Sequence, residues 1–432
     1  MGILDLLKDK FLKSRVVKNA SWIISGRIVQ MICSFVVSLL TARYLGPGNY
    51  GLINYALAYT TFFYSICTLG INSILVKVFV DEPDKEGETL GTAIILQAVS
   101  SLLSSLMIIG IVWVVDAGDS LTVTVTALCT VGLIFRIFET MRYWFQAHLI
   151  SKYSAFTSTI AYICTSAYRV TLLINGMSVQ WFAFATAVDY IIIAILLFVF
   201  YKKCHGQSFS FSRQKAKKLV SLGGPFILSG LMISIYGNTD KLMLKQMLTE
   251  ESVGYYSLAS SLSNTWVFVL SAIIDSMYPV IMESFKTDKN KFLKQNRLMY
   301  AIVFYVSIIV SLLIVLFAGP IVKLLYGEAY LPSVGPLRVT TWYVAFSYLG
   351  VARNAWIVTH NLQKYNAPIY AGAAITNIVL NLCFIPIWGA TGAALASLVT
   401  QISTIFIWPL FIKNMRQNVK LMVDGIFLRG IR

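Results

Sequence analysis

Apolar residues in this chain come in unbroken runs, neither alternating as in a strand nor confined to one stripe as in a surface helix. Runs of roughly 20 or more residues recur, the length a helix needs to cross about 30 Å of hydrocarbon. They fall at 17–40, 50–78, 90–115, 121–145, 153–174 and 179–201, then at 219–247, 253–282, 299–325, 337–359, 365–387 and 390–412. A membrane β-barrel would show alternating segments of about ten residues instead. The pattern therefore predicts an all-α integral membrane protein of about 12 transmembrane helices in two six-helix lobes. Residues 17–201 form the first lobe, 202–218 a hinge loop, 219–412 the second lobe and 413–432 a tail. At the start, 1–16, Ile3, Leu4, Leu7 and Phe11 share one helical face opposite Asp5, Lys8 and Lys10, so this segment is expected to lie in the membrane interface. The first apolar run is too long for a cleavable leader and is followed by no small-residue cleavage site.

The halves resemble each other. Ser25-Gly26, then Leu45, Tyr50-Gly51-Leu52 and Ala56 in the first are matched by Ser229-Gly230, Leu248, Val253-Gly254-Tyr255 and Ala259 in the second. Six spans per half make the repeat parallel, about an axis along the membrane normal, with a central cavity between the lobes.

Composition agrees: 57% of residues are hydrophobic and only 12% charged, too apolar for a water-soluble core. The net charge of +16 could suggest nucleic acid, but the basic residues sit in gaps between spans rather than on one polar domain, which excludes that partner. They collect in the first tail (Lys8, Lys10, Lys13, Arg15, Lys18), the hinge (Lys202, Lys203, Arg213, Lys215, Lys217, Lys218), the loop at Lys286 to Arg297, and the last tail (Lys413, Arg416, Lys420, Arg429). The turns at 116–120, 175–178 and 388–391 carry none, so both termini are expected to be cytoplasmic. The acidic loop from Asp81 to Glu88 is the discordant element. The six cysteines show no CxxC pairing, and His148, His205 and His360 are scattered, so neither disulfide nor metal framework is expected. No P-loop, GxSxG or paired-carboxylate signature is present, which points to a transporter without a cofactor, driven by an ion gradient, the membrane potential, or consumption of product.

A lone charge in hydrocarbon costs roughly 2.5 to 3.5 kcal/mol on insertion scales, so charges inside spans are the chemical clues. Arg27 falls near the midplane of the first span, Arg169 in the outer part of the fifth, and Arg136 and Arg353 in the inner parts of the fourth and tenth. They suggest a ladder of cations whose guanidinium forks suit phosphate. Glu139, one turn from Arg136, is placed to neutralise it. Asp189, Asp240 and Asp275 are candidates for cross-helix ion pairs or for carrying a coupling proton or cation, and Lys241, beside Asp240, joins the arginines as a candidate for binding an anionic substrate. Asn377 and Asn381, one turn apart, fit a polar cavity wall or interhelical hydrogen bonding equally.

The run Asn19 to Ala56 with its turn Arg43-Tyr44-Leu45-Gly46-Pro47-Gly48-Asn49-Tyr50-Gly51, the segment Asp240 to Leu244 followed by Val253 to Tyr256, and the stretch Asn377 to Gln401 resemble polysaccharide-biosynthesis flippases of the O-antigen and capsule type. These belong to the multidrug, oligosaccharidyl-lipid and polysaccharide exporter superfamily. The resemblance covers nearly the whole chain. It implies a prokaryotic plasma membrane, a V-shaped cationic cavity, and alternating access, coupled to a proton or sodium gradient, that moves an undecaprenyl-pyrophosphate-linked oligosaccharide to the outer leaflet, with a glycosyltransferase and a polymerase as partners. By that likeness Arg27 matches a cavity arginine and Asp240-Lys241 the charged pair of the seventh span. Two rivals stand: a drug antiporter of the same superfamily, which would want carboxylates in the cavity, and a membrane-embedded glycosyltransferase or polymerase, which would want a sizeable extramembrane loop or an acidic metal motif.

Overall fold

The computed structural model describes the backbone of residues 15–430 and the side chains of residues 33–430 except Ser229, so most of the expected interfacial segment and the Arg27 side chain lie outside the described residues. Within those bounds every regular element is helical. Helix α1 (Arg15–Cys67) carries the first two expected spans and turns between them at Gly46, whose φ of 70° suits glycine, just before Pro47. A short 3-10 turn (Ile71–Ser73) and α2 (Leu75–Asp81) follow. Then come α3 (Glu86–Val115), α4 (Ser120–Arg136), a 3-10 turn (Ile137–Thr140), α5 (Met141–Ala147), α6 (Lys152–Ile174) and α7 (Val179–Lys203). The second lobe runs α8 (Arg213–Met247), α9 (Glu250–Asn264), α10 (Phe268–Thr287), α11 (Lys289–Tyr326), α12 (Val334–Ala352), α13 (Asn354–Thr359) and α14 (Asn366–Ile402), which bends at Gly389. A π turn (Ser403–Ile407), α15 (Trp408–Leu410) and the terminal helix α16 (Arg416–Ile426) close the chain. Seven stretches among the described residues are long and apolar enough to cross a membrane by length and composition alone.

Four expected spans are not single helices. Those at 50–78, 121–145, 253–282 and 337–359 break at Thr68–Gly70, Ile137–Thr140, Thr265–Val267 and Arg353. They are the second and fourth spans of each lobe, so the breaks repeat. A second repeat lies just beyond: Trp144, His148, Lys152 and Tyr153 recur as Trp356, His360, Lys364 and Tyr365. In both copies the indole faces the imidazole, with ring centres 4.2 and 4.0 Å apart, and the next residue, Leu149 or Asn361, takes a positive φ. The same turn is thus built twice.

Apolar packing is uneven along the seam between the lobes. On the face opposite the hinge, Tyr55, Val112, Leu244, Val253, Ile385 and Ala393 form one buried cluster, and Ala42, Leu258, Val322, Tyr330 and Leu337 another. Toward the hinge face, the lobes keep separate cores around Trp144 and Trp356. The repeat glycines explain how the far side closes. A Cβ on Gly51 would lie 1.8 Å from the Glu250 carbonyl oxygen and 2.7 Å from the Gly254 nitrogen, and one on Gly254 would lie 2.2 Å from the Pro47 carbonyl. The two turns pack backbone to backbone. Around them Lys245 meets Asp116 at 3.4 Å and Glu250 at 3.3 Å, while Tyr55 donates to Asp116 at 2.9 Å.

The hinge side is held more lightly. Gly70 and Gly223 touch through their backbones, and the loop before α8 runs along α3, where Gly87 N–H donates to Gln207 Oε1 at 2.9 Å and Ser212 N–H to Thr92 Oγ1 at 3.0 Å. The acidic loop finds its reason here: Glu82 pairs with both Lys215 and Lys218 of the basic stretch. Those two ammonium groups lower its carboxyl to about 2. The expected V is therefore pinched at both faces in this form, and sealed by apolar packing at the far one.

Gly51→Val should force the far side apart, since overpacking of this kind costs typically about 1–3 kcal/mol. In a background lacking native cysteines, Leu244→Cys would then react faster with a membrane-impermeant maleimide; an unchanged rate would show that the glycine contact does not close that face.

Candidate functional site

The first lobe carries its charges on a half-open wall. Arg136 ends α4 with its guanidinium 3.7 Å from the centre of the Tyr64 ring and 5.3 Å from that of Tyr190. Its Nε donates to one oxygen of Glu139 at 3.2 Å, and Arg142 meets the other at 3.3 Å. Arg142 also donates to Ser158 at 3.0 Å. The three charged side chains keep 28%, 19% and 29% exposure, so none of them is enclosed as Asp240 and Arg353 are in the second lobe. Glu139 neutralises Arg136 as the spacing suggested, but it is shared.

Higher in the same lobe Arg169 borders a cavity of about 160 Å³ together with Ser38, Thr41, Tyr50, Asn54 and Thr186. It makes no hydrogen bond or ion pair among the described residues; Asp189, which accepts from Thr165 at 3.2 Å, is the carboxylate whose field reaches it. An arginine held half-buried without a contacting carboxylate keeps its donors available to a ligand.

The second lobe places its charges differently. Asp240 is only 3% exposed and accepts hydrogen bonds from Asn381 at 2.6 Å, Asn377 at 3.0 Å, Tyr256 at 2.5 Å, and Ser397. Asn377 and Asn381, left open between two roles by the sequence, bind this carboxylate across helices. Lys241, next along α8, is half-buried and forms no ion pair with it among the described residues. Asp275 is exposed and unpaired among the described residues. Arg353 stands apart from the other arginines: at 2% exposure it is buried in the second lobe and donates to the Thr404 carbonyl at 3.2 Å. That carbonyl sits in the π turn, where backbone acceptors leave the ordinary helical pattern, so the guanidinium joins the α12–α13 break to the π turn.

Of the four arginines read from depth, the structure brings Arg136 and Arg169 to one lobe, buries Arg353 in the other, and leaves the Arg27 side chain undescribed. Sequence reasoning missed Arg142, Tyr64 and Tyr190, and the donors Tyr256 and Ser397. Arg136, Glu139 and Arg142 at three-residue spacing was the available signal; the others come from distant segments and gave none.

The polysaccharide biosynthesis protein family matches this chain over residues 16–285, more than half its length. The chain belongs to that family. Among curated relatives it is 22% identical to the lipid II flippase MurJ of Bacillus subtilis, covering 93% of this chain and 83% of MurJ. It is 21% identical to the capsular polysaccharide biosynthesis protein CapF of Staphylococcus aureus, covering 92% and 100%. Among solved structures, MurJ in an inward closed conformation matches with a TM-score of 0.73 at 16% identity, over 94% of this chain and 91% of that one. An inward-facing multidrug transporter of the exporter superfamily matches at 0.65 with 14% identity, over 90% and 95%. The family resemblance read from the sequence is upheld, and the fold is the two-lobe fold that these solved structures share.

Arg353→Ala should lower thermal stability by roughly 1–3 kcal/mol, the cost of leaving a buried acceptor unpaired, while transport per folded molecule persists. Loss of transport at unchanged melting temperature would restore Arg353 to the substrate path.

Proposed function

We propose that this protein moves a polyprenyl-pyrophosphate-linked oligosaccharide from the cytoplasmic to the outer leaflet, as a step in the assembly of a cell-surface polysaccharide. The observation that carries this reading is the excess of arginine on the half-open wall: Arg136, Arg142 and Arg169 against Glu139 and Asp189. Guanidinium forks fit phosphate oxygens, and partly hydrated ones bind without trapping. The lipid tail stays in the bilayer while the head passes between the lobes, and glycosyltransferase and polymerase partners would supply and consume the substrate. The positively charged hinge side is cytoplasmic in this reading. The far-side seal and lighter hinge-side contacts then suit a form that receives substrate from the cytoplasmic leaflet of a prokaryotic plasma membrane.

Coupling to an ion gradient, where it occurs, is assigned to Asp240. A deeply buried carboxylate surrounded by neutral donors, with the neighbouring Asn381 Oδ1 buried and unpartnered, suits a proton or a small hard cation such as sodium. A drug antiporter of the same superfamily is the second reading. The first lobe's arginines speak against a cationic cargo.

The test is purified protein in liposomes, following a labelled polyprenyl-pyrophosphate oligosaccharide between leaflets with and without an imposed gradient. Arg169→Ala should slow transfer at least about tenfold, the worth of one charge-assisted contact, and Asp240→Asn should abolish any gradient dependence. Transport of a cationic dye with no movement of the lipid would replace this reading with the antiporter.

A further inference from the structure

The charged wall of the first lobe has an internal order that its composition does not require. The helix that carries it changes character at this point: α4 ends at Arg136, residues Ile137–Thr140 form a 3-10 turn, and α5 resumes at Met141. A 3-10 turn has about 3.0 residues per turn, so side chains three apart stand directly in line. In an α-helix of about 3.6 residues per turn, Arg142 would have swung roughly a third of a turn away from Arg136. The local tightening is what stacks Arg136, Glu139 and Arg142 in one column, with Glu139 between the two guanidinium groups at 3.2 and 3.3 Å.

The tight turn is braced from behind. Thr140 donates to Gln97 Oε1 at 2.6 Å, and Gln97, fully buried, donates onward to Asn72 Oδ1 at 3.0 Å and to the Thr68 carbonyl at 3.2 Å. The turns just after α1, the middle of α3 and the 3-10 turn are thus one polar unit, and the Tyr64 ring of α1 has its centre 3.7 Å from the Arg136 guanidinium. The column is nevertheless incomplete. Arg142 Nε is buried and has no hydrogen-bond partner, although the other end of the same guanidinium is paired. Two arginines and one carboxylate leave a net positive charge, and one buried donor remains to be satisfied.

We propose that this column is a clamp for the diphosphate of the substrate, in which Glu139 is the resting occupant. Resting on the flippase reading above, the clamp works by exchange. A diphosphate entering from the half-open side takes the place of the Glu139 carboxylate, bridges both guanidinium forks and satisfies Arg142 Nε. When it leaves, Glu139 returns. The carboxylate keeps the arginines aligned while the site is empty, and by competing for them it keeps the diphosphate from binding too tightly to be released.

The sign of one substitution separates this from a structural ion pair. Glu139→Gln keeps the shape and removes the competing charge. Full-length detergent-purified protein would be titrated with geranylgeranyl pyrophosphate and with inorganic pyrophosphate, and leaflet transfer measured in liposomes at saturating lipid-linked oligosaccharide. Glu139→Gln should bind the lipid diphosphate at least about tenfold tighter, the equivalent of one charge-assisted contact, and transfer more slowly at saturation. Arg142→Gln should bind it about tenfold more weakly. An equal gain with inorganic pyrophosphate supports the clamp and assigns recognition to the anion alone; a gain confined to the lipid supports it with the tail contributing. Unchanged or weaker binding in a Glu139→Gln protein of normal melting temperature overturns the proposal and leaves Glu139 a structural partner. Should that variant fail to fold, Glu139→Asp, which shortens the occupant's reach, must bind tighter for the proposal to stand. If the unaltered protein moves no lipid-linked oligosaccharide, the flippase reading fails, and the inorganic pyrophosphate titration still decides the clamp.

Discussion

A charge inside hydrocarbon must be matched or wetted, and this fold answers that demand differently in its two lobes. In the second lobe Asp240 is enclosed by neutral donors and Arg353 is spent on a backbone carbonyl, so neither reaches the surface of the seam. In the first lobe Arg136, Glu139 and Arg142 remain partly exposed, and Arg169 borders a small cavity. One lobe encloses its charges, and the other leaves them partly exposed. A superfamily in which two similar halves enclose one path allows that division, because the repeat fixes the backbone without fixing the residues that line it.

The repeat also determines where the backbone gives way. The second and fourth spans of each lobe break, and polar side chains meet the breaks: Gln97 and Thr140 at one, Arg353 on the Thr404 carbonyl at another. Freed backbone groups inside a membrane must find partners within the protein, so a break attracts polar residues and is stabilised by them. Close glycine contacts serve the opposite purpose. Gly51 against Gly254 brings two backbones together without side chains between them, which makes a seam that is tight yet held by few interdigitated groups.

Much of the fold was legible in the sequence because membrane spans announce themselves by uninterrupted hydrophobicity, a signal that depends on length alone. The breaks within spans were not legible: Ile137 to Thr140 and Arg353 sit in apolar surroundings, and only tertiary partners such as Gln97 and Thr404 reveal why the helix changes there. Arg136, Arg169 and Glu139 could be found from depth and spacing. Depth could not tell that Arg353 turns inward, because which way a residue faces depends on neighbours from distant segments. The acidic loop around Glu82 looked out of place for the same reason, until Lys215 and Lys218 were seen against it. The Trp-His-Lys-Tyr repeat was present in the letters all along, and its meaning came only with the paired rings.

The central claim is that the substrate head is carried by the first lobe. An electron-microscopy structure of the protein in a lipid nanodisc with a lipid-linked pyrophosphate oligosaccharide would test it directly. The account predicts density for the diphosphate against Arg136, Arg142 or Arg169, with Asp240 still enclosed by Asn377, Asn381, Tyr256 and Ser397. Diphosphate density against the second lobe, with the first lobe's arginines untouched, would contradict it.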